Sequence, residues 1–496
     1  MPEALGHVLQ ALGHGSEHTL FFTTRLFVAV FTALFALQWA LSGKPRWRVA
    51  LLSAFSLYFY WKAGGWFVFA ILGTATYDWW LGQRIYDSPT RSKRGYYYAS
   101  LALNLGLLAW FKYQFFFLGT YDWLLTGTYT PAPLGWLLPV GISYYTFKSL
   151  SYIIGLWQEE VEAPERSYLN YLCYVTFFPS LLAGPITRAA SFLGQLRQPY
   201  RLTQAQVGAA VFLFLTGLVK KLVIADYLAA NFVGRVFDYP ESYTGLEILL
   251  AAFSYGFQLY YDFSGYTDMA LGVGLLLGLE LGRNFNEPFK AQNVTDFWRR
   301  WHITLSTWFN DYVFLPLNFR WRRRGKLFTV LAVTLTFVLS GLWHGPAWTF
   351  VLWGLSHGLA IGWDTLTQPQ RRRLAQRVPP WLYRSASVLL TYCFLAATYL
   401  LFVADDLGQL RLMLTRIFTA FDGHLVGTWL AGYWRVAAML AVAVVVHYLP
   451  TAWKAKLKHR FTQLHWALQA LAVATIVLCI YQFTSSEVQP FIYLQF

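Results

Sequence analysis

His344 closes the apolar run Leu327–Trp343 and is followed at once by Gly345-Pro346. Proline stops or kinks a helix, and glycine lets another backbone or a ligand come close. A histidine beside such a break at membrane depth is costly unless it is paired or lines a cavity. Imidazole titrates near neutrality, so it can take a proton from a hydroxyl and return one to a leaving group. Two readings stay open: a general base on a cavity, and a structural histidine bonded to a carbonyl. His302 stands 42 positions earlier. Two histidines can serve as base and orienting partner, or as base and oxyanion donor. Two imidazoles without an obvious carboxylate companion make a weak metal site, and no metal is expected. His357 follows Trp353 by four residues in the next apolar segment; there it bonds a backbone group or lines the cavity.

The residues around His302 form an unusual block, Arg283–Lys326, mixed polar and aromatic between apolar stretches. Trp298, Trp301, Leu305 and Trp308 are spaced 3, 4 and 3, which on one helix puts three indoles and a leucine on one face. Asn293 or Thr295 is placed to cap that helix, with Asp296 in its first turn. A neighbouring stripe carries Arg299, His302 and Ser306. The block reads either as an interfacial amphipathic helix or, the reading preferred here, as a polar face turned into a site. Asp311 and Trp343 are counted with the same lining.

Other chemistry-bearing residues are supportive. Tyr261-Asp262-Phe263-Ser264-Gly265-Tyr266 sets a carboxylate and hydroxyls inside a long apolar stretch, with Asp268 close behind. Buried acids need partners, so Tyr261, Asp262 and Ser264 belong to a packing network or a cavity wall. Ala183-Gly184-Pro185 breaks another apolar segment just before Arg188. The sequence holds no phosphate loop, dinucleotide fingerprint, GxSxG elbow or HExxH motif. Cys173, Cys393 and Cys479 each sit in apolar stretches without CxxC spacing, as buried hydrophobes do. His7, His14 and His18 fall in a mildly polar start, residues 1–18, read as an extension without the marks of a signal peptide.

The elements that must position these groups follow from composition. Of 496 residues, 56% are hydrophobic and 13% charged, about half the charge of soluble domains. Aromatics reach 19%. A disordered chain and an ordinary soluble multidomain enzyme are both excluded; the chain needs lipid around it. The net charge of +15 comes in short bursts between apolar runs, among them Arg91–Arg94, Arg320–Lys326, Arg371–Arg377 and Lys454–Arg460. That is the positive-inside pattern of cytoplasmic loops, not a nucleic-acid footprint.

A spanning helix needs about 20 apolar residues. Candidate segments are Leu20–Leu41, Val49–Trp61, Trp66–Leu81, Tyr96–Leu118, Leu134–Trp157, Leu169–Leu182, Val207–Phe232, Leu246–Leu279, Leu327–Trp343, Ala347–Trp363, Val388–Val403, Trp434–His447 and Trp466–Tyr481. The expectation is an all-α integral membrane protein with roughly 11–13 membrane helices, several short, tilted or re-entrant. No fixed-period repeat and no long hydrophilic stretch appears, so residues 19–496 read as one membrane domain.

Seven stretches together resemble the membrane-bound O-acyltransferase family in its bacterial branch: LPVGISYYTFKSLSYII (138–154), FFPSLLAGPITR (177–188), KKLVIADYLA (220–229), YYDFSGYTDMALG (260–272), RNFNEPF (283–289), DFWRRWHITLSTWFNDYVFLPL (296–317) and GLWHG (341–345). They run in the family's order, with core motifs over 138–363, and seven in order are far more specific than a lone WHG. The alginate O-acetylation membrane subunits look closest; the peptidoglycan acetylation and teichoic-acid D-alanylation proteins look like more distant cousins. The resemblance implies a ring of tilted helices around a central tunnel. It also implies that His344 is the catalytic histidine deep in that tunnel and His302 its second polar residue.

It further implies transfer of an acetyl group from a cytosolic thioester, acetyl-CoA or another, with no bound cofactor. The acceptor would be an exported polysaccharide or a periplasmic relay protein, beside polysaccharide synthase machinery, at the bacterial inner membrane. No nucleic-acid partner is expected. The alternatives are D-alanyl or peptidoglycan O-acyl transfer on the same fold and, from a different class, a polysaccharide transporter or channel, which would also use broken helices and intramembrane histidines.

Overall fold

The computed structural model describes residues 20–127 and 139–483, and among them every regular element is helical. The 1–18 extension, the last part of the loop Tyr121–Pro133 and the start of the segment Leu134–Trp157 lie outside the described residues. The chain divides into two compact units, with boundaries after residues 214, 265 and 282. Residues up to 214 with 266–282 form one unit; 215–265 with 283 onward form the other.

Among the described residues, four helices are long and apolar enough to cross a membrane: Arg91–Thr126, Gln204–Asp238, Lys326–His344 and Pro380–Val403. A bent pair, Gly423–Gly432 and Trp434–Tyr448, turned by 92°, makes a fifth. The other expected segments differ for a physical reason. Pro45–Gly64 carries Arg46, Arg48 and Lys62, and Gly245–Leu276 carries Gln258, Asp262 and Asp268 within its apolar run. Of these, Arg48, Lys62, Gln258 and Asp262 are buried, and Asp262 is paired with Lys221 inside the protein. Leu169–Leu182 is not one helix: Tyr168–Thr176 gives way to a short 3-10 turn at Phe178–Ser180.

In the first unit the buried polar groups are answered locally. Asp78 accepts the Ser100 hydroxyl at 2.6 Å and the Asn104 amide at 2.9 Å. Lys148, fully buried, donates to the carbonyls of Tyr174 and Val175 at the end of Tyr168–Thr176, which otherwise lack intrahelical partners. The Ala183-Gly184-Pro185 break is real and buried; a Cβ on Gly184 would run into the Pro179 carbonyl.

In the second unit, the helices Lys326–His344 and Trp348–Leu366 form a tight antiparallel pair. A Cβ on Gly341 would meet the Phe350 carbonyl, and one on Gly354 the Phe337 carbonyl. Gly354, Gly358 and Gly362 repeat every four residues, the small-residue stripe that lets helix backbones close in lipid. This closeness fixes where the last turn of the first helix, and so His344, points.

Candidate active site

His344 is the last residue of Lys326–His344, and the next helix begins at Trp348. The helix therefore ends where Gly345-Pro346 requires. Gly345 is extended (φ −158°), and a Cβ there would strike the Phe350 ring. The His344 imidazole is buried and packs edge-on against Trp343, Trp353 and Phe402, with ring centres 5.0, 5.1 and 5.4 Å apart.

His302 reaches the same indole from another direction, its ring 6.1 Å from Trp343 and 4.8 Å from Phe263. The aromatic block is not the continuous helix its spacing predicts. Val294–Trp298 ends, residues 299–302 form turns, and Ile303–Phe309 begins anew. His302 sits at that junction in the left-handed region, φ 40° and ψ 54°. For a non-glycine residue this costs about 1–3 kcal/mol and persists only where its surroundings enforce it. The enforcement comes from the RNFNEPF stretch. The Asn284 carbonyl accepts the Ile303 N–H at 2.9 Å, its side chain accepts the Thr304 hydroxyl at 2.6 Å, and the Asn286 N–H donates to the Arg300 carbonyl at 2.9 Å. These bonds occupy backbone groups that the broken helix leaves open.

The four apolar positions of the block, Trp298, Trp301, Leu305 and Trp308, are all buried despite the break. The polar stripe is split by it. Arg299 is exposed, His302 is fully buried, and Ser306 donates its hydroxyl to the Trp301 carbonyl at 3.2 Å. Asp311 lies in a π turn, Asn310–Phe314, where its carboxylate accepts the Asn310 amide.

His357 is held from both sides. Its Nδ1 accepts from the Trp298 indole at 3.2 Å, and its Nε2 lies 3.2 Å from the Thr398 hydroxyl. That hydroxyl donates to the Leu395 carbonyl, so it accepts from Nε2–H. The tautomer is thereby fixed, and both ring nitrogens are committed to structure. His357, Trp298, Trp301, Trp353, Tyr399 and Phe402 line a small cavity with about 10 Å³ of free volume, room for one water-sized group. Trp353 and Phe402 are the residues that also pack on His344.

The Tyr261–Tyr266 stretch resolves into a packing network. The Tyr261 hydroxyl donates to the Ala443 carbonyl at 2.6 Å, and Asp262 is paired with Lys221 at 2.5 Å. Lys221 also meets Asp226 at 2.8 Å. Ser264 is buried. Lys221 and Asp226 belong to the KKLVIADYLA stretch but are not assigned by spacing; two lysines inside an apolar run were the available signal. His447 was also missed. It is buried, 4.9 Å from the Tyr260 ring and 5.2 Å from Phe289.

A model of the MBOAT, membrane-bound O-acyltransferase family matches residues 92–403. The chain is 32% identical to the peptidoglycan O-acetyltransferase of Helicobacter pylori over 78% of each chain. It is 32% identical to the probable alginate O-acetylase AlgI of Pseudomonas aeruginosa over 82% of this chain and 75% of that one. It is 31% identical to the teichoic acid D-alanyltransferase of Bacillus subtilis over 45% of this chain and 58% of that one.

The chain is a membrane-embedded acyl-transfer enzyme; it belongs to the membrane-bound O-acyltransferase family. Membership decides for an O-acyltransferase over a transporter. The alginate O-acetylase relative bears out the branch that the resemblance implies, with the peptidoglycan O-acetyltransferase at the same identity.

Burial pushes the His302 imidazole down to about 3, so the ring is neutral throughout the physiological range. A neutral ring serves as a hydrogen-bond donor to developing negative charge better than as a base. His302→Ala is expected to lower turnover by about a hundred- to a thousandfold, roughly 3–4 kcal/mol, with residual activity. Wild-type rates in the variant would remove His302 from the site. The same burial predicts a pH effect on stability. The folded-state value lies below the unfolded value of about 6.5, so the folded state binds fewer protons. His302 therefore costs nothing above about pH 6.5, and the protein loses stability as pH falls from there toward 3. In melting curves from pH 7 to pH 4, His302→Ala should show a shallower acid decline than the wild type.

Proposed function

We propose that the enzyme transfers an acetyl group from acetyl-CoA, a cytosolic thioester, to hydroxyls of an exported polysaccharide or to a periplasmic relay protein, from the bacterial inner membrane. The observation that carries this reading is the pair of buried histidines on one indole, His344 at a helix end and His302 in a strained turn. His344 accepts the proton of the acceptor hydroxyl. The hydroxyl oxygen attacks the thioester carbonyl, the C–S bond breaks, and the thiol leaves with the proton from the imidazolium. Alternatively His344 takes the acyl group directly and passes it on. His302 donates to the oxyanion. The aromatic rings packed on His344, those of Trp343, Trp353 and Phe402, give the imidazole apolar surroundings that limit thioester hydrolysis.

The names of the relatives favour a second acceptor class. Peptidoglycan O-acetyl transfer uses the same donor chemistry, and D-alanyl transfer changes the group. Purified protein in proteoliposomes, given acetyl-labelled coenzyme A outside and polysaccharide inside, is expected to move label to the polymer. Transfer only from a D-alanyl carrier thioester would replace the acetyl reading. Label in glycan strands of peptidoglycan, and not in exopolysaccharide, would change the acceptor.

A further inference from the structure

A second cavity in the same unit, of about 580 Å³, is lined by the 287–292 turn, the start of the helix Pro380–Val403 and the junction after Tyr448. Its size falls in the range of small-molecule and cofactor sites. Lys290, Arg300 and Arg384 lie on its wall, with Gln292, Ser385 and Thr451. Lys454 lies outside the lining but bonds Glu287, so four cations stand at or next to the cavity. Two carboxylates answer them. Glu287 accepts from Lys290 at 3.0 Å and Lys454 at 2.7 Å, and Asp296 accepts from Arg300 at 2.8 Å. Burial raises the Glu287 carboxyl, but hydrogen bonds from Lys454, Lys290 and Thr451 outweigh it and bring the group down to about 2, so Glu287 is ionised and fully committed to its neighbours. Arg384 is exposed and makes no ion pair among the described residues. Two positive charges are left over, around a concave wall that carries further neutral donors.

We propose that this cavity is a phosphate-binding site, taking the phosphate of a soluble phosphorylated ligand or of an anionic lipid headgroup. Guanidinium and ammonium groups converging on one concavity match the geometry and charge of phosphate oxygens. The helices that flank the site in sequence, Gln368–Arg377 and Thr451–Gln463, carry the basic runs Arg371–Arg377 and Lys454–Arg460. Those runs mark the cytosolic side, where nucleotide-type phosphates and the anionic leaflet are both found. The site stands on its own residues and needs no transfer chemistry, so it does not depend on the reading of His344.

The test uses the full chain purified in phosphate-free detergent, with two probes. One is free coenzyme A. The other is phosphatidylglycerol, presented in nanodiscs against phosphatidylcholine. Binding is read for the wild type, Arg384→Gln and, as a control for lost charge alone, Arg320→Gln, which is exposed in another segment. At least one probe should bind, be displaced by inorganic pyrophosphate, weaken with rising salt and bind about tenfold more weakly to Arg384→Gln, equivalent to about 1.4 kcal/mol, while Arg320→Gln binds as the wild type does. A response in the coenzyme A arm assigns a soluble phosphate source; a response in the lipid arm assigns a headgroup. Equal binding of both probes to wild type and Arg384→Gln, or equal weakening in both variants, overturns the site. His344→Gln should bind the probes as the wild type does, so loss of transfer and loss of the phosphate site are read separately.

Discussion

His344→Gln is expected to express, insert and fold, and to transfer no acyl group. Glutamine keeps roughly the size of imidazole and some of its hydrogen bonding, but cannot take a proton near pH 7. The site's frame does not depend on the ring's basicity. It comes from the close pairing of Lys326–His344 with Trp348–Leu366 and from the aromatic wall of Trp343, Trp353 and Phe402. Melting in detergent should therefore stay near wild type while acetyl transfer from donor thioester falls to background. A structural histidine would give the reverse: partial activity with lost yield or a lowered melting point. A folded His344→Gln protein that still acetylates its acceptor would sink the assignment of His344 and the mechanism built on it.

The two histidines were legible in the sequence for different reasons. At His344 the signal was covalent and local: an apolar run cannot continue as a helix through Gly345-Pro346, and it does not. At His302 the signal was a polar residue in an aromatic block, and its setting is not the helix face that the spacing predicts. The 3, 4, 3 spacing of tryptophans and leucine fits a helix, and these residues are buried as that spacing requires. The break at 299–302 is imposed by bonds from Asn284 and Asn286, residues that precede it in the chain by more than a dozen positions. Periodicity sees one segment at a time and carries no trace of such a partner. The same holds for His357, whose roles were fixed by Trp298 and Thr398 on two other helices. Apolar segments were found well, and among the described residues four helices, or five with the bent pair, are long and apolar enough to cross a membrane.

Lys221→Met is expected to cause the largest loss of stability of any single change considered. Lys221 lies in a π turn, Val219–Ala225. On an α-helix, residues five apart point well away from each other, but the i→i+5 bonding of a π turn brings Lys221 and Asp226 to one face. Asp262 arrives from the helix Gly245–Leu276, which comes close because Gly265 has no side chain; a Cβ there would lie 2.8 Å from the Gly217 carbonyl. The ammonium is 1% exposed and its two carboxylates 10% and 3%. Removing the cation leaves two like charges buried within reach of each other, and breaking a buried pair from one side costs about 3–5 kcal/mol. That is a large share of the 5–15 kcal/mol typical of a folded protein. The variant should melt far below wild type or fail to accumulate. Neutralising all three together, Lys221→Met with Asp226→Asn and Asp262→Asn, should recover most of the loss, because no unpaired charge remains and replacing a whole buried ionic cluster is often close to neutral. The measurement is the melting point in detergent of the single and triple variants. If Lys221→Met alone melts as the wild type does, the triad is not what holds these two helices together.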